Sequence, residues 1–400
     1  MSRLEKLIKE LCPDGVEYKH TEELCKDKFW LMPATPKYIS RGIPYLTSKN
    51  IRKNTIDFKN VNYISEDDYI VMSKNRSINK GDLLITMIGT IGEAAFVKDD
   101  IPFYGQNMYL LRLNDEFINP MFYYYYLTSA KIKNSIISKK NPSSQGYIKA
   151  GSIDKLLIPV PPLEVQEEIV RILDSFTELT AELTAELTAR EKQYQFYKHS
   201  LLSFDNNIRY VPLQDVADIY DSLHQTPKYS EEGFSMIRVQ DVKKGYIEAS
   251  KTLKVEEEIY KIFIKKYQPK KDDIVVSRVG SYGNFAIVPN DECCLGQNTA
   301  IIHPKINAKF LYYILTSDTI KSWINSNVKG ASQKSFSLVD IKRIPIPYIE
   351  VKLQEKIVAI LDRFETLCND ISTGLPAEIE ARQKQYEYYR DKLLTFKEMS

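Results

Sequence analysis

The stretch Ile158-Pro159-Val160-Pro161, followed after four residues by Gln166 and then by Ile169, Val170, Ile172, Leu173, Asp174 and Phe176, decides the architecture because it occurs twice. The second copy is Ile344-Pro345-Ile346-Pro347, followed after six residues by Gln354 and then by Ile357, Val358, Ile360, Leu361, Asp362 and Phe364. Proline lacks a donor and clashes inside a helix, so each Pro-rich run marks the exit from a globular head into a rod. Ile169, Leu173, Phe176, Leu179, Leu183 and Leu187 then recur at helical spacing, as do Ile357, Leu361, Phe364, Leu367 and Ile371. Such stripes predict helices that pair as a coiled coil.

Outward from these exits the repetition continues. Ala189-Arg190, Lys192-Gln193-Tyr194, Tyr197, Leu201-Leu202 and Phe204 answer to Ala381-Arg382, Lys384-Gln385-Tyr386, Tyr389, Leu393-Leu394 and Phe396. Upstream, Thr35-Pro36-Lys37-Tyr38 returns as Thr226-Pro227-Lys228-Tyr229, and Gly105-Gln106-Asn107 returns as Gly296-Gln297-Asn298, both displaced by 191 positions. Asp82, Gly89 and Gly92 return as Asp273, Gly280 and Gly283 at the same displacement. The intervening residues differ: Tyr45 to Asn50 stands opposite Met236 to Asp241, and Thr86-Met87-Ile88 opposite Ser277-Arg278-Val279. A shared framework with different polar tips suits the reading of two different targets.

Each head reads as short strands joined by turns. Gly81-Asp82 opens a strand over 83–87, and Ile274 to Ser277 matches it. The paired glycines read as a tight turn, and a nucleotide cradle lacks both the Walker Lys-Ser/Thr and a following helix. Pro120 to Ser129 and Phe310 to Thr316 are predicted helices packed on the sheet, with the run Tyr123 to Tyr126 supplying core and rim. Between the heads, Thr180-Ala181-Glu182-Leu183 and Thr184-Ala185-Glu186-Leu187 are strong helix formers and predict a stiff spacer. The second rod is predicted to break at Gly374-Leu375-Pro376.

Composition sets outer limits. The 400 residues are 43% hydrophobic and 27% charged with 27 Tyr and 16 Phe, which excludes a disordered chain and favours more than one domain. No stretch approaches the roughly 20 uninterrupted apolar residues of a spanning helix, and the charges in Met1 to Lys9 do not suit a signal peptide. Five scattered cysteines fit a reducing cytoplasm. Cys293-Cys294 has no neighbouring metal ligand before His303, so no metal site is expected. Net charge is +2, yet Glu164 to Arg190 holds seven acidic and two basic residues, leaving +7 on the rest. A basic body with an acidic rod can touch nucleic acid through the body alone.

Taken together, the duplicated pattern resembles the specificity subunit of type I restriction–modification systems, the HsdS family. The resemblance covers nearly the whole chain. It rests on Leu11-Cys12-Pro13-Asp14-Gly15-Val16-Glu17-Tyr18, on Ile-Pro-x-Pro with Gln-x-x-Ile in both copies, on the Thr-Ala-Glu-Leu repeats, and on Ala377 to Tyr386. It implies an α+β fold with two tandem α/β target recognition domains, each followed by a long helix, the helical segments pairing as an antiparallel coiled coil with pseudo-twofold symmetry. The expected parts are an N-terminal helical arm at 1–16, recognition domains at 17–160 and 205–347, and helical spacers at 161–204 and 348–400. It further implies a non-catalytic subunit that binds split double-stranded DNA sites and docks two methyltransferase subunits and restriction subunits. Adenosylmethionine and ATP with magnesium would sit on those partners, with no cofactor here. Asn141-Pro142-Ser143-Ser144 and Val160-Pro161-Pro162-Leu163 both fail the amino-methylation motif, consistent with that division. The alternative is a stand-alone tandem DNA-binding or decoy protein without enzyme partners.

Candidate DNA contacts are the polar tips Ser48, Lys49, Asn50 and Gln145 in the first head and Gln240, Arg278, Tyr282, Gln333 and Lys334 in the second. Arg278 suits bidentate binding of guanine O6 and N7, or equally an ion pair with a carboxylate. Asn107 and Asn298 can reach adenine, but as common framework they point rather to structural duty. Lys139, Lys140, Lys243, Lys244, Lys265, Lys266, Lys270 and Lys271 are candidate phosphate contacts or solvated charges. Ile169, Leu173, Phe176, Leu183, Leu187, Ile357, Leu361 and Phe364 are the expected spacer seam. Tyr194, Tyr197, Tyr386 and Tyr389, with Phe196 and Tyr388, exceed what two helices bury and are expected at partner interfaces. Leu163 to Arg190, if helical, spans about 42 Å at 1.5 Å per residue, the scale of one turn of DNA.

Overall fold

Continuous apolar runs, buried on both faces, and turn glycines build the same sheet in both heads. In the computed structural model, which describes residues 2–141, 146–205, 207–242, 245–328, 335–369 and 374–399, the chain divides into two compact units. One comprises Met1–Thr184 with Glu378–Ser400, the other Ala185–Ala377. The first holds an antiparallel sheet in the order Cys25–Leu31, Met108–Leu113, Leu83–Thr86, Ala94–Phe96. The second repeats it as Ala217–Asp221, Thr299–Pro304, Ile274–Ser277, Phe285–Ile287. A three-stranded sheet accompanies each, Asn62–Ile64, Ile43–Leu46, Tyr104–Gly105 in one and Leu253–Val255, Phe234–Ile237, Cys293–Leu295 in the other. Its central strand pairs parallel with the third, an arrangement the sequence reading did not foresee.

The paired glycines are turn residues. Gly89 and Gly92 have φ of 80° and 79°, and Gly280 and Gly283 have 73° and 72°, a region costly for any residue with a Cβ. The turn closes through Gly92 N–H to Thr86 O at 2.9 Å and Gly283 N–H to Ser277 O at 2.8 Å. Asn107 and Asn298 also lie at positive φ, 64° and 61°, the left-handed region that asparagine tolerates. Their backbone carbonyls accept from Met87 N and Arg278 N, a structural contact made alike in both copies.

Each Ile-Pro-x-Pro run is a short edge strand, where proline is tolerated. Leu157–Val160 pairs with Glu17–His20, and Pro345–Pro347 with Tyr210–Pro212. The helix that follows the first run extends from Leu163 to Leu202 without interruption. After the second run come two helices, Val351–Asn369 and Leu375–Leu393, in accord with a break near Gly374-Leu375-Pro376.

Gln166 and Gln354 fix how these helices leave the heads. Gln166 is fully buried, accepts from Asn119 N at 2.7 Å, and donates to Pro161 O at 2.7 Å and Phe117 O at 3.1 Å. Gln354 accepts from Asn307 N at 3.2 Å and donates to Ile349 O at 2.9 Å. Asn119 and Asn307 cap the head helices Pro120–Leu127 and Ala308–Leu315. One amide thus ties the cap of a head helix to the start of a rod. Two turns further along each rod, Tyr125 Oη donates to Asp174, and Tyr313 Oη to Asp362 at 2.6 Å. Tyr123, Tyr124 and Tyr125 are buried and Tyr126 is half-buried, so the tyrosine run is core with one residue at the rim.

Rod residues separate into two groups. Ile169, Leu173, Ile357 and Leu361 are buried in the cores of the heads they follow. They are therefore not the seam or partner surface expected of them, because the first turns of each rod pack sideways on a head helix. Phe176 and Phe364 do form seams. Phe176 stacks on Tyr389 at 5.7 Å and meets Tyr386 at 6.4 Å. Phe364 stacks on Tyr197 at 5.3 Å and Tyr194 at 6.3 Å. By the sequence repeat these are equivalent clusters, and each phenylalanine packs on the tyrosines of the other copy. In the second unit the pairing is antiparallel, since Cys368, a turn after Phe364, shares a cleft with Thr188 and Glu191, a turn or more before Tyr197. Leu183 and Leu187 are half-buried, and Leu187 packs against the second core.

The first unit is closed by the tail. Val16 N–H donates to Lys397 O at 2.9 Å, Met399 N–H to Val16 O at 3.0 Å, and Tyr18 Oη to Phe396 O at 3.1 Å. Gly15 has φ 111°, and a Cβ there would lie 2.6 Å from Lys397 O, so the Pro13-Asp14-Gly15 turn admits only glycine.

Candidate nucleic-acid interface

In each head the loop after the central strand of the smaller sheet meets the glycine turn of the larger one, and a cleft opens between them. The first, about 790 Å³, is lined by Thr47, Ser48, Lys49, Ile88, Gly89 and Asn107, with Lys59 and Asn60 on a neighbouring loop and Asn62 at the start of the edge strand that follows it. The second, about 460 Å³, is lined by Arg238, Val239, Gln240, Val279, Gly280 and Asn298, with Thr226, Pro227 and Tyr229 beside them. The first six residues of each set correspond one to one at the 191-residue displacement. Backbone framework is retained, while Thr47, Ser48 and Lys49 become Arg238, Val239 and Gln240.

Candidate residues distribute unevenly over this geometry. Lys49 and Gln240 are exposed in their clefts. Ser48 is only 8% exposed, and its carbonyl accepts from Thr90 Oγ1 at 2.7 Å, so it is not the exposed tip expected. Asn50 is a second correction. Its Oδ1 accepts from Thr47 N at 2.9 Å while Nδ2 donates to Asp57 O and Asn60 O at 3.1 and 3.0 Å, which commits the buried amide to its own loop. Arg278 is the third. Its guanidinium pairs with Asp221 and donates through Nε to Phe336 O at 3.2 Å, with 13% of the side chain exposed. Of the two roles open to it, the ion pair is the one observed. Tyr282 is half-buried and packs against the second core. Gln145, Gln333 and Lys334, with Lys243 and Lys244, lie outside the described residues. Lys139, Lys140, Lys265, Lys266, Lys270 and Lys271 are exposed.

At the end of the strand away from each glycine turn, the buried carboxylates at equivalent positions are balanced differently. Asp82 is held by Arg112, Nε to Oδ1 and Nη2 to Oδ2, both at 2.8 Å. Asp273 instead accepts from Tyr267 Oη at 2.8 Å and lies 2.7 Å from His303 Nδ1, the residue that replaces Arg112 in the repeat. The Tyr267 hydroxyl is pushed up from its ordinary range by burial and by that carboxylate. Cys293 and Cys294 are buried, which raises each thiol to about 12, and no metal-binding group of His, Cys, Asp or Glu occurs among the described residues. No helix among them is long and apolar enough to cross a membrane.

On the rods, Phe196 is 67% exposed and Tyr388 64%, at equivalent positions of the repeat. Each contacts its neighbouring tyrosine edge-on, Phe196 with Tyr197 at 5.7 Å and Tyr388 with Tyr389 at 5.4 Å. Tyr194, by contrast, is 7% exposed and Tyr386 half-buried, because Phe364 and Phe176 cover them. The expectation of partner exposure therefore narrows to Phe196 and Tyr388, with Tyr197 and Tyr389 at the edge.

Duplicated heads with matched clefts on helices that pair through exchanged aromatic clusters define a two-headed recognition scaffold. The family model of the type I restriction modification DNA specificity domain matches residues 13–190 and again 206–381, and the chain belongs to that family. It is 29% identical over 376 residues to a type I restriction enzyme specificity subunit of Haemophilus influenzae, covering 90% of this chain and 89% of that one. It is 34% identical over 266 residues to a type I restriction enzyme specificity subunit of Escherichia coli, covering 62% of this chain and 65% of that one. Its fold is that of the type I restriction–modification S subunit of M. genitalium, with a TM-score of 0.54, 18% identity, and coverage of 95% and 96%.

Proposed function

We propose that this type I specificity subunit binds a split duplex DNA site, one half through each head, and carries no chemistry of its own. The observation that carries the reading is the pair of matched clefts: identical framework positions bear Lys49 in one and Gln240 in the other. A scaffold needed only for packing has no use for that substitution pattern, whereas two half-sites of different sequence require it. The major groove distinguishes all four base pairs, so contacts of this kind suffice for specificity. Gln145, Tyr282, Gln333 and Lys334 remain candidates for the same surface, and the exposed lysines for phosphates.

The helical spacer sets the distance between half-sites. At 1.5 Å per residue, deleting Thr184 to Leu187 shortens it by about 6 Å. The expected outcome is a smaller unread gap with both half-sites unchanged, measured by mapping methylated adenines in cells that express the variant with its methyltransferase subunit. An unchanged gap or altered half-sites would reject the reading. Phe196 and Tyr388 are the docking points for two methyltransferase subunits, since exposed aromatics at repeated positions suit a repeated partner. Restriction subunits join the assembly they form. Adenosylmethionine and ATP with magnesium belong to those partners, so the chain alone with DNA and adenosylmethionine should transfer no methyl group. DNA affinity should fall steeply with salt through the lysine contacts.

A further inference from the structure

Lys49 stands on a turn that its neighbours hold from both sides. The short 3-10 turn Ser48–Asn50 is closed by Asn50 Oδ1, which accepts from Thr47 N–H and Oγ1 at 2.9 and 3.1 Å. The other end of the same amide, Nδ2, donates to Asp57 O and Asn60 O at 3.1 and 3.0 Å, and Asp57 N–H returns to Asn50 O at 2.8 Å. On the opposite flank the Ser48 carbonyl accepts from Thr90 Oγ1 at 2.7 Å. Ser48 and Asn50 are buried, at 8% and 6% exposure, while Lys49 between them is exposed and lines the cleft. Among the described residues no hydrogen bond or ion pair engages its ammonium. Nor is any of the described residues lining this cleft acidic, so nothing there draws the charge away from a ligand.

The second head builds the equivalent turn otherwise. Asp241 Oδ2 closes Val239–Asp241 by accepting from Arg238 N–H at 2.9 Å, and the same carboxylate takes the Arg238 side chain. A carboxylate has no donor, so Asp241 cannot tie a second loop through its carbonyls as Asn50 does. At the exposed position of this turn Gln240 stands in place of Lys49. Phosphates are alike whatever the sequence, so contact with them gives two copies no reason to exchange a cation for a neutral amide, whereas base edges differ. Lysine suits guanine O6 and N7, and glutamine suits adenine N6 and N7, so the exchange matches a change of purine. A turn cross-tied at both neighbours of Lys49 fixes where its stem leaves the backbone, which a base contact needs and a loose phosphate contact does not.

We propose that Lys49, aimed by the Asn50 clamp, reads a guanine in the half-site bound by the first head. This rests on the split-site reading above and assigns one specificity-determining side chain within it. The test is methylation-site mapping in cells expressing the full chain with its methyltransferase subunit, as wild type, Lys49→Ala, Lys49→Gln and Lys59→Ser. The wild-type site should carry a G·C pair in one half-site that Lys49→Ala no longer requires, with discrimination at that position reduced about 5- to 150-fold, the worth of one bidentate contact. The other half-site and the gap should not change. Lys49→Gln, which installs the residue of the other head, should relax the same position so that A·T is admitted, and it decides the matter if the alanine variant fails to accumulate. Lys59→Ser removes the other lysine of the cleft and should leave the recognised sequence as it is. An unaltered sequence in both Lys49 variants, weaker methylation at all sites without a relaxed position, or the same position relaxed by Lys59→Ser would overturn the assignment while leaving the split-site reading intact. A wild-type complex that methylates no split sequence would instead overturn that reading.

Discussion

The two heads share a sheet order, a glycine turn, a capped helix and a buried glutamine, yet they differ at charged positions around the cleft and at the far end of the strand that leads to it. Asp82 faces the permanently charged Arg112, while Asp273 faces His303 and Tyr267. Met87 and Trp30 of the first head become Arg278 and Asp221, an apolar pair exchanged for an ion pair. Thr47 and Asn50 become Arg238 and Asp241. Each change involves partners rather than single residues. A buried charge without its counter-ion is costly, so a duplicated scaffold varies its buried polar chemistry in matched sets, while exposed positions such as Lys49 and Gln240 change singly and the backbone hydrogen bonds that define the turns stay as they are.

The comparison is most severely tested at the shared rod–head packing. Leu173→Ala and Leu361→Ala remove fully buried side chains at equivalent positions and should each destabilise the chain by about 2–5 kcal/mol, read by urea unfolding. A large cost in one head and a negligible one in the other would show that the heads do not use their rods alike. Next, Arg112→Ala strips the buried Asp82 of its bidentate partner and should cost about 2–4 kcal/mol, whereas His303→Ala leaves Tyr267 on Asp273 and should cost about 1–2 kcal/mol. Equal losses in thermal unfolding would contradict the different balance of the two carboxylates. Gln166→Ala and Gln354→Ala each orphan a helix-cap N–H and should cost about 1–3 kcal/mol, with the greater loss at Gln166, whose contact to Asn119 is 2.7 Å against 3.2 Å. The smallest effect distinguishes the cysteines. With thiols raised to about 12, Cys293 and Cys294 hold almost no thiolate at pH 8 and should resist iodoacetamide in the folded chain, then react fully in urea. Rapid native labelling would place them at the surface.

Much of the site was legible as pattern and little of it as contact. Lys49 and Gln240 were singled out because aligned copies differ where a loop follows a strand, and both are exposed in the clefts. Ser48 and Asn50 were misread because a polar residue at a turn serves its own backbone as readily as a ligand, and nothing local separates the two. The contacts of Arg238 with Asp241 and Gly296, the latter distant in sequence, were not legible before the fold. Arg278 was legible as an alternative only, since its counter-ion Asp221 stands 57 residues away.

By itself the sequence determined the duplication, one strand with its glycine turn in each head, the exits at Ile-Pro-x-Pro and the two rods, because proline, glycine and apolar periodicity act over a few residues. Only the tertiary structure decided that Phe176 packs on Tyr386 and Tyr389 while Phe364 packs on Tyr194 and Tyr197. The two copies carry the same aromatic pattern, so either pairing satisfies the local code. The choice between them is made by long-range geometry, through the length of helix that carries each aromatic cluster away from its own head.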